Sequence, residues 1–338
     1  MTAPLSLLRA YLRPTTLVLV YLHMVFFALC LAAEGPSTVP WLSAGAALVV
    51  MAATYANATA VNDLSDEAVD RINLSGDKER PLVDGRAGRR DVWWLWGVTG
   101  AVAVGASCLL APWVAAVTAF MLALSWVYSM PPVRLSGRGA LAQVWLPLEY
   151  CALPAVLVAG VVGHASWRYA AVVAAVYLIF VGRLFLKDLR DEPGDRATGK
   201  RTYTVRHTPR AAIVQSGLWT VTGTAGLSGL MYVFYDVNPV AVFGFSTLSV
   251  GGQLAALVAC DQEADRGRRL AYTGVFGRWI SMKIYVYVLL MVLAAYGLPA
   301  WQTGVVMGLT TVTVLANVAS LYATIRGTTA GPLPSPPG

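Results

Sequence analysis

Apolar runs of about twenty residues recur along this chain, near 15–33, 40–61, 92–111, 112–130, 140–161, 168–187, 211–235, 239–260, 280–299 and 302–325. A helix needs about 20 mainly apolar residues to cross a bilayer. Inside lipid, only helices and closed barrels can satisfy every backbone polar group. The runs therefore predict an all-α, polytopic transmembrane helical bundle. Threaded alternately through a membrane, they put every one of the 25 Lys and Arg residues except Arg168 on one side. The positive-inside rule makes that side cytoplasmic, with both termini inside. The first run is longer than the apolar part of a signal peptide and predicts a retained helix. The Pro/Gly-rich end, "GTTAGPLPSPPG", reads as a disordered tail over 327–338. That leaves 1–326 as a single membrane-embedded domain.

Only 13% of the residues are charged, about half the share of a soluble domain. The net charge of +7 would suggest nucleic acid, but its one-sided placement assigns it to topology, and no nucleic-acid partner is expected. The four Cys are scattered through apolar segments without the spacing of a metal site or a disulfide framework.

Acidic residues are concentrated in two places. "DLSDEAVDR", 63–71, follows the second run, and "DLRDEPGDR", 188–196, follows the sixth. Asn62, Asp63, Asp66 and Asp70 fall along one helical face, because residues three and four apart are neighbours. Tyr55 and Thr59 extend that face toward the membrane. Asp188 and Asp191 share a face of the second segment. Pro193 disfavours helix at Glu192, so Asp195 is predicted to hang from a turn. Two facing carboxylate clusters repel unless cations fill them. Mg²⁺ suits hard oxygen ligands and is usually held through a few carboxylates and substrate phosphates. Arg71, Lys78, Arg80, Lys200 and Arg201 supply positive charge for phosphoryl oxygens. The residues thus predict a Mg²⁺-bridged diphosphate site at the cytoplasmic mouth of the bundle.

"NDLSDEAVDR" resembles the first Asp-rich motif of the UbiA-type intramembrane prenyltransferase superfamily, and "KDLRDEPGDRATGKRT" resembles the second. "YSMPPVRL", 128–135, is similar to the family's segment between spans four and five, and "LRPTT" and "ERPL" add weaker likenesses. The resemblance implies a UbiA-like bundle of nine spans, where the chain shows ten runs, with Asp-rich motifs after spans two and six. It implies Mg²⁺-dependent transfer of an isoprenoid from an allylic prenyl diphosphate to a small-molecule acceptor, usually aromatic. Asn62, Asp63, Asp66 and Asp70 match the first Mg²⁺–diphosphate cluster, and Asp188, Asp191 and Asp195 the second. Lys187, Arg201 and Arg134 match basic positions near the diphosphate. Ser136 stands where many relatives have Lys, which leaves Arg134 or Arg138 to supply that charge.

Glu149 is the acid deepest in an apolar run. At about 1.5 Å per residue from Gly139, it lies about 15 Å into a core of about 30 Å. Intramembrane acids usually face a cavity or bundle interior, so Glu149 is a candidate to accept a proton or orient an acceptor hydroxyl, with a structural hydrogen bond as the alternative. Pro147 and Pro154 flank it and predict a broken helix. Tyr128, Trp145, Tyr150 and Tyr177 are candidates to stabilise a carbocation through their π faces, although interfacial anchoring is the commoner reason for such residues. Two other functions fit parts of this pattern. A membrane terpene cyclase would ionise the same diphosphate without an acceptor. A cation transporter would place its acids near the bilayer midplane.

Overall fold

The computed structural model describes residues 4–13, 23–35, 38–73 and 80–329. Lys78, Glu79 of the "ERPL" segment, residues 14–16 of "LRPTT", residues 15–22 of the first apolar run and residues 330–338 of the tail lie outside them. Every regular element among the described residues is helical. The helices are α1 (Pro4–Leu12), α2 (His23–Ala32), α3 (Trp41–Asn73), α4 (Arg89–Cys108), α5 (Pro112–Ser129) and α6 (Ala140–Pro147). A π turn at Leu148–Ala152 leads into α7 (Leu153–Val162), followed by α8 (Trp167–Ala197), α9 (Tyr203–Arg206), α10 (Pro209–Phe234), α11 (Pro239–Gln262), α12 (Arg266–Ala295) and α13 (Ala300–Thr329).

Local chemistry sets the helix starts. Ser166, Thr208, Asn238 and Asp265 each accept a backbone N–H from the first turn of α8, α10, α11 and α12, which satisfies donors that a helix leaves orphaned. Pro112, Pro209 and Pro239 stand at the first helical positions, where the missing N–H costs nothing.

Among the described residues, seven helical segments are both long and apolar enough to cross a membrane. They lie in α3, α5, the α6–α7 segment, α8, α11, α12 and α13. The helices α4 and α10 follow two further apolar runs but do not meet both conditions, and the first run is only partly described. The expected nine to ten spans thus become seven by this measure, in an integral, multi-pass membrane protein.

The helices also run on past the apolar segments. The 33 residues of α3 measure about 50 Å at 1.5 Å per residue, well beyond a core of about 30 Å. The first acidic segment therefore forms the last turns of α3 itself. A second correction concerns Lys283, threaded above among the cytoplasmic cations. Because α12 begins at Arg266, Lys283 lies mid-helix and is fully buried. Its Nζ donates to Thr224 Oγ1 at 2.5 Å and Gln253 Oε1 at 3.1 Å, polar partners of the kind an intramembrane cation requires.

The chain forms two compact units, Met1–Tyr177 with Arg190–Arg206, and Leu178–Leu189 with His207–Gly338. In the first, α3 packs against α1, α4, α5 and α7. Leu7 and Tyr11 of α1 join Ala60, Leu64, Leu82 and Val92 in one apolar cluster. In the second, α11 packs against α10 and α12, and α12 against α13.

Candidate functional site

The last turns of α3 bury Asp63, Asp66 and Asp70. Asn62 lies one turn from Asp66, and its Nδ2 donates to Asp66 Oδ2 at 2.8 Å. Four bases from four separate stretches of chain meet these acids. Arg80 is bonded to Asp63 and lies 3.4 Å from Asp70. Arg13, beyond the end of α1, reaches Asp63 at 3.5 Å. Arg134 donates to Asp66 Oδ1 at 2.8 Å and to the Ser65 carbonyl at 3.2 Å. Lys200 donates to Asp66 Oδ2 at 2.8 Å and lies 3.8 Å from Asp195 Oδ1. A single ammonium thus joins the first acidic segment to the second. Burial alone would lower the affinity of Lys200 for its proton, but the carboxylates of Asp66 and Asp195 outweigh that effect and raise its pKa. The amine stays charged.

Backbone geometry aims Lys200. Gly199 adopts φ +73° after the end of α8, a left-handed conformation that side chains resist. The Lys200 N–H then returns to the Asp195 carbonyl at 2.8 Å, closing the helix as a Schellman turn does.

The predicted turn at Asp195 does not form, because α8 continues through Pro193 to Ala197. Proline removes a donor and crowds the preceding turn, so outside support is needed. Asn73, the last residue of α3, provides it. Its Nδ2 donates to the Asp191 carbonyl at 2.8 Å, and its Oδ1 accepts the Gly194 N–H at 2.9 Å. A Cβ at Gly194 would lie 2.5 Å from Asn73 Nδ2 and 2.8 Å from the Val69 carbonyl. Glycine is what allows the two helix ends to touch.

The remaining candidates divide. Asp191 accepts from Arg190 at 2.8 Å, and its charge is felt by Asp70. Arg71 is not among the bases at the carboxylates. It bonds Glu67 at 2.8 Å and the Leu82 carbonyl at 3.2 Å, with its side chain 54% exposed. Glu67 is also bonded by Arg89, so this is a separate surface cluster. The Arg201 residue is exposed, and its carbonyl accepts from Arg206 at 2.9 Å. Arg138 donates to the Val133 carbonyl at 2.7 Å, so Arg134 alone of that pair is bonded to the carboxylates. Asp188 is buried and Lys187 exposed on the part of α8 that belongs to the second unit.

Sequence reasoning did not identify Tyr11, Arg13 or Asn73 as site residues. The Leu7–Tyr11 spacing on α1 was the available signal for the first. Tyr11 is 1% exposed beside Asp63. Burial, and then the Asp63 charge, push its hydroxyl pKa above the usual range, so it remains protonated.

The UbiA prenyltransferase family model matches residues 22–276, about three quarters of the chain. The chain belongs to the UbiA prenyltransferase family. This UbiA protein is 28% identical over 155 residues to the bacteriochlorophyll synthase 33 kDa chain of Cereibacter sphaeroides, covering 45% of the chain and 50% of that protein. It is 30% identical over 172 residues to digeranylgeranylglyceryl phosphate synthase of Methanopyrus kandleri, covering 49% and 59%. The chain thus spans about half the length of the curated relatives it matches. Solved structures share the UbiA fold. A digeranylgeranylglyceryl phosphate synthase structure aligns with TM-score 0.62 at 14% identity, covering 87% of this chain and 99% of the other. A UbiA homologue from Archaeoglobus fulgidus bound to GPP and Mg²⁺ aligns with TM-score 0.57 at 18% identity, covering 85% and 99%.

The donor set in this UbiA chain fits a hard divalent cation. Asp63 Oδ2 is buried and has no hydrogen-bond partner among the described residues, which leaves a hard oxygen ligand available. No cage of three or more His, Cys, Asp or Glu side chains closes on a metal point among the described residues. Mg²⁺ keeps several waters and shares substrate phosphates, so the carboxylate set suits it without a complete protein cage.

Deeper in the first unit, Glu149 occupies the π turn between α6 and α7 and is 4% exposed. The helix is not broken there, as its prolines led one to expect, but widened. The Leu153 N–H bonds the Leu148 carbonyl five residues back, and Pro154 has no N–H to offer the Tyr150 carbonyl. Glu149 Oε1 accepts from Ser125, while Oε2 has no partner among the described residues. Tyr150 meets Tyr55 of α3 edge to face, with ring centroids 6.0 Å apart. Tyr177 is tied instead to the Val144 carbonyl at 2.7 Å, a structural role.

Proposed function

We propose that this chain transfers an isoprenoid group from an allylic prenyl diphosphate to an electron-rich, most simply aromatic, acceptor inside the membrane. The reading rests on Asp63, Asp66, Asp70 and Asp195 interleaved with Arg80, Arg134 and Lys200 where α3 and α8 end, with Asp191 paired to Arg190 on the last turns of α8. Those five carboxylates would hold Mg²⁺. Bound there, the ion would neutralise charge on the departing diphosphate.

The chain's own groups account for the rest. Arg80, Arg134 and Lys200 are preorganised cations that stabilise negative charge as it develops on the leaving group. Asn62 fixes Asp66 through its amide. The allylic C–O bond breaks and its electron pair leaves with the diphosphate. An acceptor carbon then attacks the allylic cation and loses a proton. Glu149 is the proposed acceptor of that proton, or the orienter of an acceptor hydroxyl, through Oε2. The Tyr55–Tyr150 pair offers π faces to the cation, and apolar walls keep water from capturing it. Asp188, Lys187 and Arg201 enter this proposal on their motif positions alone. The cation asymmetry of the sequence supports a cytoplasmic mouth. The acids stand at helix ends rather than at midspan, which favours an enzyme over a transporter.

The test supplies purified protein in lipid nanodiscs with a panel of allylic diphosphates, with and without Mg²⁺ and candidate acceptors. Mg²⁺-dependent diphosphate release with a prenylated acceptor in the mass spectrum is expected. A hydrocarbon or terpene alcohol formed without acceptor would replace transfer by cyclisation. No release from any allylic diphosphate would overturn both.

A further inference from the structure

A groove of about 620 Å³ runs between α4 and α5 in the first unit. That volume is within the range of small-molecule sites, roughly 300–1,000 Å³. Trp96, Gly97 and Ala101 of α4 face Ala123 and Trp126 of α5, and Asn57 of α3 also lines it. No charged side chain is among the described residues that line it. Its neighbours on α4, Val98 and Val102, are exposed, as expected of a surface that meets lipid.

The groove is not the back of the carboxylate site. Successive residues of an α-helix turn by about 100°, so the nine positions from Asn57 to Asp66 amount to about two and a half turns. The two side chains point to opposite sides of α3. Asn57 also lies about 9 Å along the helix from Asp63 at 1.5 Å per residue, toward the membrane interior.

Two buried polar atoms here lack partners. Asn57 is 1% exposed. Its Nδ2 donates to the Trp96 carbonyl at 2.6 Å and more weakly to Thr99 Oγ1 at 3.4 Å. The Trp96 carbonyl can only accept, so it fixes which way the amide faces. Asn57 Oδ1 is left with no partner among the described residues, and so is Trp96 Nε1. Burying such groups unpaired costs stability, because each has given up its water and gained no partner. One is an acceptor and the other a donor. A hydroxyl can serve both, donating to Asn57 and accepting from Trp96, whereas an ether or carbonyl can serve only the indole. Both atoms are closed off from solvent, so the Trp96 ring must swing for a hydroxyl to reach them. Trp96 lies at the groove's edge, meeting Trp93 edge-on and Trp126 at a tilt, at centroid distances of 5.7 and 5.4 Å, and packing against the cluster of Ala60, Leu64 and Val92.

We propose that this groove is a binding site for an uncharged lipid bearing a hydroxyl, with its apolar body between α4 and α5 and its hydroxyl between Asn57 and Trp96. The charge-free walls select against ionic headgroups. The orphan pair selects for the alcohol over the hydrocarbon.

The test uses the full chain in nanodiscs and a long-chain fatty alcohol carrying a diazirine and an alkyne. After irradiation, cross-linked peptides are mapped by mass spectrometry, and the methyl ether of the same probe is run in parallel. Cross-links should fall within 96–104 and 122–127, the segments that line the groove. The ether should label about ten-fold less, the cost of one hydrogen bond of about 1.4 kcal/mol. Gly97→Phe fills the groove, because a Cβ at Gly97 meets nothing within 4 Å, and should abolish labelling while the thermal midpoint holds. Trp96→Phe keeps a ring but removes the indole donor that both probes use, and should lower alcohol and ether labelling alike while the alcohol keeps its advantage from Asn57. Equal labelling by alcohol and ether, or labelling that survives Gly97→Phe, would reduce the groove to ordinary lipid contact. Cross-links between two copies of the chain at these segments would assign it to self-association and overturn the lipid site.

Discussion

Lys200→Met removes a cation that reaches both acidic segments while keeping a long apolar side chain. The Lys200 side chain is 8% exposed, Asp66 12% and Asp195 1%, so solvent screening does little to soften the loss. Removing one partner of a buried ion pair costs about 3–5 kcal/mol when the other charge stays buried and unpaired; Asp66 keeps Arg134, so that range is an upper bound here. At roughly 2 °C per kcal/mol for a large chain, the thermal midpoint without divalent cation should fall by up to about 6–10 °C. Mg²⁺ should recover part of that loss by occupying the oxygens that Lys200 had held, since a ligand that binds only the folded state stabilises it. Lys200→Arg, which keeps the charge, should lose much less. The pH dependence follows from the raised pKa of Lys200. Its contribution is full below the ordinary lysine value of 10.5 and fades only as pH rises through the higher folded value. Between about pH 8 and pH 10 the gap between wild type and variant should therefore stay constant. The assay is intrinsic fluorescence during heating in detergent, with EDTA or Mg²⁺. A midpoint within about 1 °C of wild type in EDTA, far short of the shift a buried pair demands, would refute the bridge.

Three further outcomes are expected. Arg71→Ala should change turnover by less than about five-fold, because exposed pairs are worth at most about 1 kcal/mol, whereas Arg80→Ala should cost more than about a hundred-fold, as for a lost charge-stabilising donor; comparable losses would return Arg71 to the site. Glu149→Gln should slow product formation with acceptor by about ten-fold or more and leave the affinity for diphosphate unchanged; equal effects on both would make it structural. Single cysteines at Asp84 and Arg201, both in loops, should react with an impermeant thiol reagent only from the cytoplasmic side, and labelling from outside would invert the threading.

The membrane helices were legible because length and apolarity are local properties. The runs at 112–130 and 239–260 match α5 and α11 closely, with Pro112 and Pro239 marking their starts. What escaped depends on partners distant in sequence. Pro193 reads as a stop until Asn73, more than a hundred positions earlier, holds the backbone around it. Arg71 and Arg80 look alike in a string of letters, yet one joins the surface pair with Glu67 and the other the buried carboxylates. Lys283 was threaded with the loop cations because the apolar run masks where α12 begins, and only Thr224 and Gln253 show it to be an interior residue. Glu149 was conspicuous as a lone acid, but its Ser125 partner was not. The Asn57–Trp96 pair gave no signal at all, since neither residue is unusual in a membrane helix.

Synthesis of the chain imposes an order on the neutralisation of α3. Its acids leave the ribosome soon after Arg13, and Arg80 follows Asp63 by 17 positions. Arg134 trails Asp66 by 68 positions and Lys200 by 134. At about 5–20 residues per second, Asp66 waits about 7–27 s for its last cation. Until Arg134 arrives, about half-way through that interval, the new helix threads into the bilayer with Asp66 uncompensated at its tip. The tip can remain in water because α3 is about 20 Å longer than the hydrocarbon it crosses. The surplus turns serve as a waiting room outside the oil, and the acids become buried only when the later segments close over them.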